Sequence, residues 1–80
     1  MEPFLGQIQL IAFNFLPQGW AFAEGQVLGI RDNQSLYVIL RTQFGGDGRT
    51  TFGLPDLKGK EPLPNTRYCI ALEGSFPAGF

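Results

Sequence analysis

Few residues in this chain have the chemistry to act as catalysts. Asp47 lies in a glycine-rich stretch and Asp56 follows it, so the two carboxylates could be imagined as an acid–base pair. Nothing around them indicates an apolar pocket that would separate the pKa values of the two carboxyl groups. The chain has no histidine, and its one cysteine, Cys69, lies in an apolar run that is typical of a core position. The sequence therefore predicts no enzyme, no catalytic residue and no cofactor.

Metal and phosphate sites are equally weakly supported. The stretch 44–51 (FGGDGRTT) is similar to a phosphate-binding loop in composition. It lacks the lysine and the spacing of that loop, and it follows a predicted helix instead of opening one. A calcium loop needs oxygen ligands at alternate positions and a final glutamate, and a zinc site needs histidines or several thiols. No metal is predicted, and ion binding by Asp47 with backbone carbonyls is left open.

Two aromatic residues are candidates for ligand binding. Trp20 follows a Pro-x-Gly turn, and an exposed indole there could stack against a sugar ring. Tyr37 and the polar loop 47–51 could extend the same surface. The alternative is that Trp20 is a core residue of a phenylalanine-rich chain. Burial of the indole decides between the two interpretations.

The elements that must position these residues are short. Period-two alternation predicts strands over 4–15, 20–23, 26–30 and 67–73, with Ile8 and Leu10 on the buried face of the first. Apolar residues at i, i+3 and i+4 predict a helix over about 33–42, which Asp32 or Asn33 could cap. The predicted fold class is α+β: a small β-rich domain with one short helix and a long glycine-rich loop.

The composition limits the chain to one domain and favours association with other chains. Its 80 residues are 44% hydrophobic and only 16% charged, against about a quarter charged in a typical domain. Small domains depend on disulfides, metals or partner subunits for stability, and only partner subunits remain here. The net charge of −1 gives no basic footprint for nucleic acid. No apolar run is long enough for membrane insertion, and the N-terminus has no signal-peptide pattern.

Four segments together resemble a known family. They are MEPFLGQI (1–8), PQGWAFAEGQVL (17–28), NQSLYVIL (33–40) and FGGDGRTTFGLPDLKGK (44–60). Their spacing is similar to the phage tail-collar domain, and within it to the microcystin-dependent-protein-like subgroup. The resemblance covers about 60 residues, and the GGDGxTTFxLPDLxG block is its most specific part.

The resemblance implies a domain of phage tail fibres and tail tips, which are commonly trimeric and attach particles to surfaces. It divides the single domain 1–80 into a collar motif (1–60), a linker (61–66) and a C-terminal strand and tail (67–80). Members of the family usually carry a further glycine-rich stretch and β-structure after the Leu-Pro-Asp-Leu block. Here residues 67–77 follow almost directly, so a minimal, shortened form is expected. The implied localisation is a virion, a phage-tail particle or an extracellular filament.

We therefore expect a structural subunit that associates with itself through terminal β-strands, as a trimer or a helical filament. The positions expected in the core or the interface are Ile8, Leu10, Phe13, Ile70, Leu72, Phe76 and Phe80. The positions expected to form the scaffold of the fold are Gly45, Gly46, Asp47, Gly48, Thr50, Thr51, Leu54, Pro55, Asp56 and Leu57. The alternative is a small attachment module that binds a cell-surface carbohydrate through Trp20 and Tyr37.

Overall fold

The structure is a computed structural model, and it describes residues 3–12 and 14–78. Two of the predicted core or interface residues, Phe13 and Phe80, lie outside the described residues. Within them the chain forms five strands and one helix, in the order β1 (Ile8–Ile11), β2 (Trp20–Phe22), β3 (Val27–Gly29), α1 (Gln34–Leu40), β4 (Thr51–Gly53) and β5 (Arg67–Ala71). This arrangement confirms the predicted α+β, β-rich class.

The larger sheet has three antiparallel strands in the order β1-β5-β2. The last strand along the chain is therefore the central one. Its register places Cys69 opposite Gln9 on one side, and Ile70 opposite Ala21 on the other. Cys69, Ile70 and Ala71 are all buried, as expected for an apolar run covered on both faces of a sheet.

Burial along β1 differs from the alternation that the sequence predicts. Ile8, expected on the buried face, is 39% exposed, and Leu10 is half-buried. Ile11, expected on the opposite face, is buried. The exposure of Ile8 follows from the position of β1 at the edge of the sheet, where a side chain has a neighbouring strand on one side only.

A second sheet pairs β3 with β4, and Leu28 lies opposite Phe52. Phe52 is fully buried. It belongs to one apolar cluster to which the N-terminal turn, the helix, the second sheet and β5 all contribute, consisting of Leu5, Leu36, Leu40, Phe52, Leu54 and Ile70. The two sheets and the helix therefore share one core.

Helix α1 agrees with the predicted apolar stripe but not with the predicted cap. Leu36 and Leu40 are buried, and Ile39 is half-buried. Asn33 occupies the N-cap position without a capping side-chain bond; its amide instead donates to the carbonyl of Gly29, at 3.0 Å. In the described part of the chain, no helix has the length and apolar character to cross a membrane.

Candidate functional site

The carboxylate of Asp47 organises the glycine-rich loop. Its Oδ1 accepts hydrogen bonds from the backbone N–H groups of Arg49, Thr50 and Thr51, at 2.8 to 3.0 Å. Its Oδ2 accepts a bond from the Thr50 hydroxyl at 2.9 Å. These donors hold the pKa of the Asp47 carboxyl far below its usual range. The Asp47 carboxylate, which was a candidate ion ligand, thus accepts four hydrogen bonds from its own loop.

The same loop lies directly against β4. The N–H of Gly53 donates to the carbonyl of Gly45 at 2.9 Å. Gly46 has a φ of +91°, and a Cβ there would overlap the backbone of Phe52. A glycine is therefore required at position 46 for two reasons, the left-handed conformation and the close approach to a buried strand.

Tyr37, a candidate ligand residue, is engaged within the fold. Its hydroxyl donates to the carbonyl of Gly48 at 3.2 Å. Its ring meets the ring of Phe52 edge-on, with 5.5 Å between the centroids. Tyr37 therefore links the helix to the glycine-rich loop and the core.

The turn from Leu54 to Leu57 is bonded to the connection between β2 and β3. The N–H of Leu57 donates to the carbonyl of Ala23 at 2.8 Å, and the N–H of Gly25 donates to the carbonyl of Pro55 at 3.2 Å. Asp56 accepts a bond from the N–H of Lys58 at 3.2 Å, which is the geometry of an Asx turn. The hydrogen bonds of Asp47 and of Asp56 thus each stay within a separate turn.

The remaining reactive groups form no constellation. Cys69 is buried, and this burial raises the pKa of its thiol, which disfavours the nucleophilic thiolate. Its Sγ lies 3.5 Å from the carbonyl oxygen of Gln9. Within residues 3–12 and 14–78, no group of three or more acidic or cysteine side chains could hold a metal ion.

Trp20 borders an open concavity of about 280 Å³, and Tyr37 is not among the residues around it. The residues around this concavity come from three separate parts of the chain, and they are Pro3, Gln18, Gly19, Trp20, Glu73 and Gly74. Trp20 is half-buried, so it is neither the exposed sugar-binding residue nor the fully buried core residue that the two interpretations of the sequence predict. Sequence reasoning missed Gln18 and Glu73. Gln18 could have been found from its place in the turn before Trp20. Glu73 could not, because only the pairing of β2 with β5 places it near Trp20.

The predicted core or interface residues occupy different environments. Ile70 is buried in the core cluster, and Leu72 is half-buried against it. Phe76, which was expected to be covered, is 48% exposed in the single chain. It follows Ser75, whose N–H and carbonyl are hydrogen-bonded to Pro3 and Leu5. The two ends of the described chain thus lie side by side.

These features define a small β-rich structural domain built around a hydrogen-bonded glycine-rich loop. The family model of the phage tail collar domain matches residues 6–62. The chain belongs to the phage tail collar domain family, whose domain is a structural component of phage tails. No curated protein and no solved structure matches the chain.

Proposed function

We propose that the chain is a self-assembling structural subunit of a phage-tail-like fibre or an extracellular filament, and that it does not act as an enzyme. The observation that carries this proposal is the open outer edge of β1. In the described part of the chain, β1 pairs with β5 only. An unpaired edge is a template for a strand of another molecule.

The outer edge of β1 combines free backbone groups with apolar side chains. Ala71 donates its N–H to Gln7, and Cys69 lies opposite Gln9. Because antiparallel pairing alternates, the backbone groups of Ile8 and Leu10 point away from β5. Ile8 is 39% exposed, and Phe4, in the turn before the strand, is 54% exposed. A strand that adds here could form backbone hydrogen bonds and bury apolar surface at once.

The opposite edge of the sheet is protected. Strand β2 is only three residues long. The amide of Gln26 donates to the carbonyl of Phe22 at 2.7 Å and accepts a bond from the N–H of Glu24 at 3.1 Å. The C-terminal strand β5 has neighbours on both sides. Of the two terminal strands, β1 is thus the one we assign to the interface.

Electron microscopy in negative stain, with light scattering on the same sample, tests the assembly. The wild-type protein is expected to form long uniform fibres, and Ile8→Lys is expected to abolish them while circular dichroism stays unchanged, because a charged edge side chain opposes strand addition. The matched control is Val27→Lys, at an exposed apolar position of the other sheet, which should leave the fibres intact. Discrete particles of a few subunits in the wild type, or equal loss in both variants, would contradict the proposal.

We also propose that the chain belongs to the microcystin-dependent-protein-like subgroup and that it divides into a collar motif (1–60), a linker (61–66) and a C-terminal strand and tail (67–80). The opening motif of residues 1–8 supports the subgroup. The pairing of β5 with both β1 and β2 supports one domain, because residues 67–71 of the last segment supply the central strand of the sheet. The proposed location is a virion, a phage-tail particle or an extracellular filament.

Attachment to a surface carbohydrate is the second candidate function. It is favoured by the half-buried indole of Trp20, which borders an open concavity. Retention of the wild-type protein on columns of immobilised bacterial polysaccharide, compared with uncoated resin, tests this function without reference to any particular residue. Equal retention on both resins would exclude it.

A further inference from the structure

We propose that the concavity bordered by Gln18, Trp20 and Glu73 is a subsite for one neutral pyranose ring with adjacent hydroxyl groups. The inference rests on the attachment function and is independent of the filament. It places the sugar at Trp20 and not at Tyr37 or Asp47, because the hydroxyl of Tyr37 and the carboxylate of Asp47 are engaged within the fold.

The indole of Trp20 provides an apolar surface and one unpaired donor. Trp20 lies on β2, where its position opposite Ala71 fixes it in the sheet. Its side-chain N–H has no hydrogen-bond partner among the described residues, and the nitrogen is not buried from solvent. A pyranose presents an apolar C–H face and a rim of hydroxyl groups, which matches a ring that is apolar in its body and polar at one end.

Glu73 and Gln18 provide the polar groups. Both side chains are exposed, and neither forms a hydrogen bond or an ion pair with another described residue. A carboxylate can accept bonds from two adjacent hydroxyl groups, and such charge-assisted bonds are stronger than neutral ones. The amide of Gln18 adds both a donor and an acceptor. Three unsatisfied polar side chains thus border the same apolar surface.

Two glycines make room for this arrangement. A Cβ at Gly19 would stand 3.0 Å from Oε2 of Glu73, so the missing side chain leaves the space in which the carboxylate lies. Gly74 has a φ of +148°, and a Cβ there would overlap the carbonyl of Pro3. The backbone therefore positions Glu73 beside Trp20 and brings Pro3 to the rim.

The donors distinguish a sugar from a cation. A ring and a carboxylate could also bind a quaternary ammonium group. Such a cation has no acceptor atoms and would form no hydrogen bond with the donors of Trp20 and Gln18, whereas a polyol offers both donors and acceptors. The volume of about 280 Å³ lies near the lower end of ligand pockets, roughly 300–1,000 Å³, which fits one ring.

A second concavity continues from the first. It has a volume of about 480 Å³ and shares Glu73 and Gly74 with the Trp20 concavity. Arg31 borders it and forms no ion pair with any described residue. A glycan longer than one residue could therefore extend from Trp20 past Glu73 without leaving the surface.

The fluorescence of Trp20, the only tryptophan in the chain, provides the test. Methyl glycosides of glucose, galactose and mannose are titrated into the full chain, with acrylamide quenching as a second readout. At least one glycoside is expected to shift the emission and protect the indole, with a dissociation constant on the order of millimolar. Glu73→Gln should weaken this binding about tenfold or more, and Gln18→Ala should weaken it less. Glu61→Gln, outside the concavity, is the matched control and should bind as the wild type does.

Each alternative outcome overturns the subsite in a distinguishable way. Retention on polysaccharide without any response of Trp20 to the glycosides would keep the attachment function and exclude this site. A response to choline chloride but to no glycoside would mean that the concavity is a cation site. Undiminished glycoside binding by Glu73→Gln, in a variant with wild-type circular dichroism, would remove the carboxylate from the proposal.

Discussion

Asp47 and Glu73 are both exposed acidic residues in loops, yet the chain uses them in opposite ways. The carboxylate of Asp47 accepts bonds from three backbone N–H groups and one hydroxyl of its own loop. The carboxylate of Glu73 has no hydrogen-bond partner among the described residues. Exposure alone therefore does not identify a carboxylate that is available to a ligand. What matters is whether the chain itself already supplies the hydrogen-bond donors for that carboxylate.

The Asp47 loop and the Glu73 region also differ in how closely their backbone packs against the rest of the fold. The Asp47 loop lies on β4, so it is part of the fold around Phe52. The Glu73 region follows the central strand β5 and borders an open concavity. Changes in the first region should affect stability, and changes in the second should affect binding. The predictions below test this contrast, from the largest expected effect on stability to the smallest.

The largest effect is expected from Gly46→Ala. The new Cβ would overlap the backbone of Phe52 while φ remains in the left-handed region. We expect a loss of about 3–4 kcal/mol in the free energy of unfolding, measured by urea denaturation. Gly59→Ala is the matched control, since its φ is +85° but the space around it is open; it should cost only about 1–2 kcal/mol. Equal losses would show that the loop does not pack against β4.

An intermediate effect is expected at Asp47. Asp47→Ala removes the acceptor of four hydrogen bonds and should lower the midpoint of thermal unfolding by several degrees. Asp47→Asn should lower it less, because the amide oxygen can still accept backbone bonds without the charge.

The pH dependence of stability isolates the charge of Asp47. Its pKa is depressed in the folded state, so between that value and the unfolded value of about 4 the unfolded chain binds the extra proton. Stability should therefore be fully present above about pH 5 and decline as the pH falls towards the folded pKa. Asp47→Asn should flatten this decline, whereas Asp32→Asn, at an exposed acidic residue with no hydrogen-bonded side chain, should not. An unchanged slope in Asp47→Asn would contradict the role of the loop bonds.

The smallest effect is expected from Glu73→Ala. Its side chain makes no hydrogen bond or ion pair in the described part of the chain. The free energy of unfolding should change by no more than about 0.5 kcal/mol, measured by the same urea denaturation. If Glu73→Ala lowered the midpoint of thermal unfolding as much as Asp47→Ala does, Glu73 would support the fold and the contrast between the two regions would be lost.

Sequence patterns predicted the structure correctly where residues within one short segment determine it. The apolar stripe of α1 predicted the helix, because helical spacing places Leu36 and Leu40 on one face, which the core then buries. The prolines and glycines marked the turns. Alternation did not predict the exposure of Ile8 in β1, because that exposure depends on the position of the strand at the edge of the sheet, which no property of residues 8–11 encodes.

By itself, the sequence determined the fold class, the short helix and the resemblance that the family match confirmed in its broader form. Each depends on residue types at fixed spacing within one segment. The tertiary structure alone decided that the last strand is the central one, that β1 has an open edge, and that Glu73 lies beside Trp20. These facts depend on pairing between residues about 50 to 60 positions apart, because backbone hydrogen bonds join strands without regard to their distance along the chain.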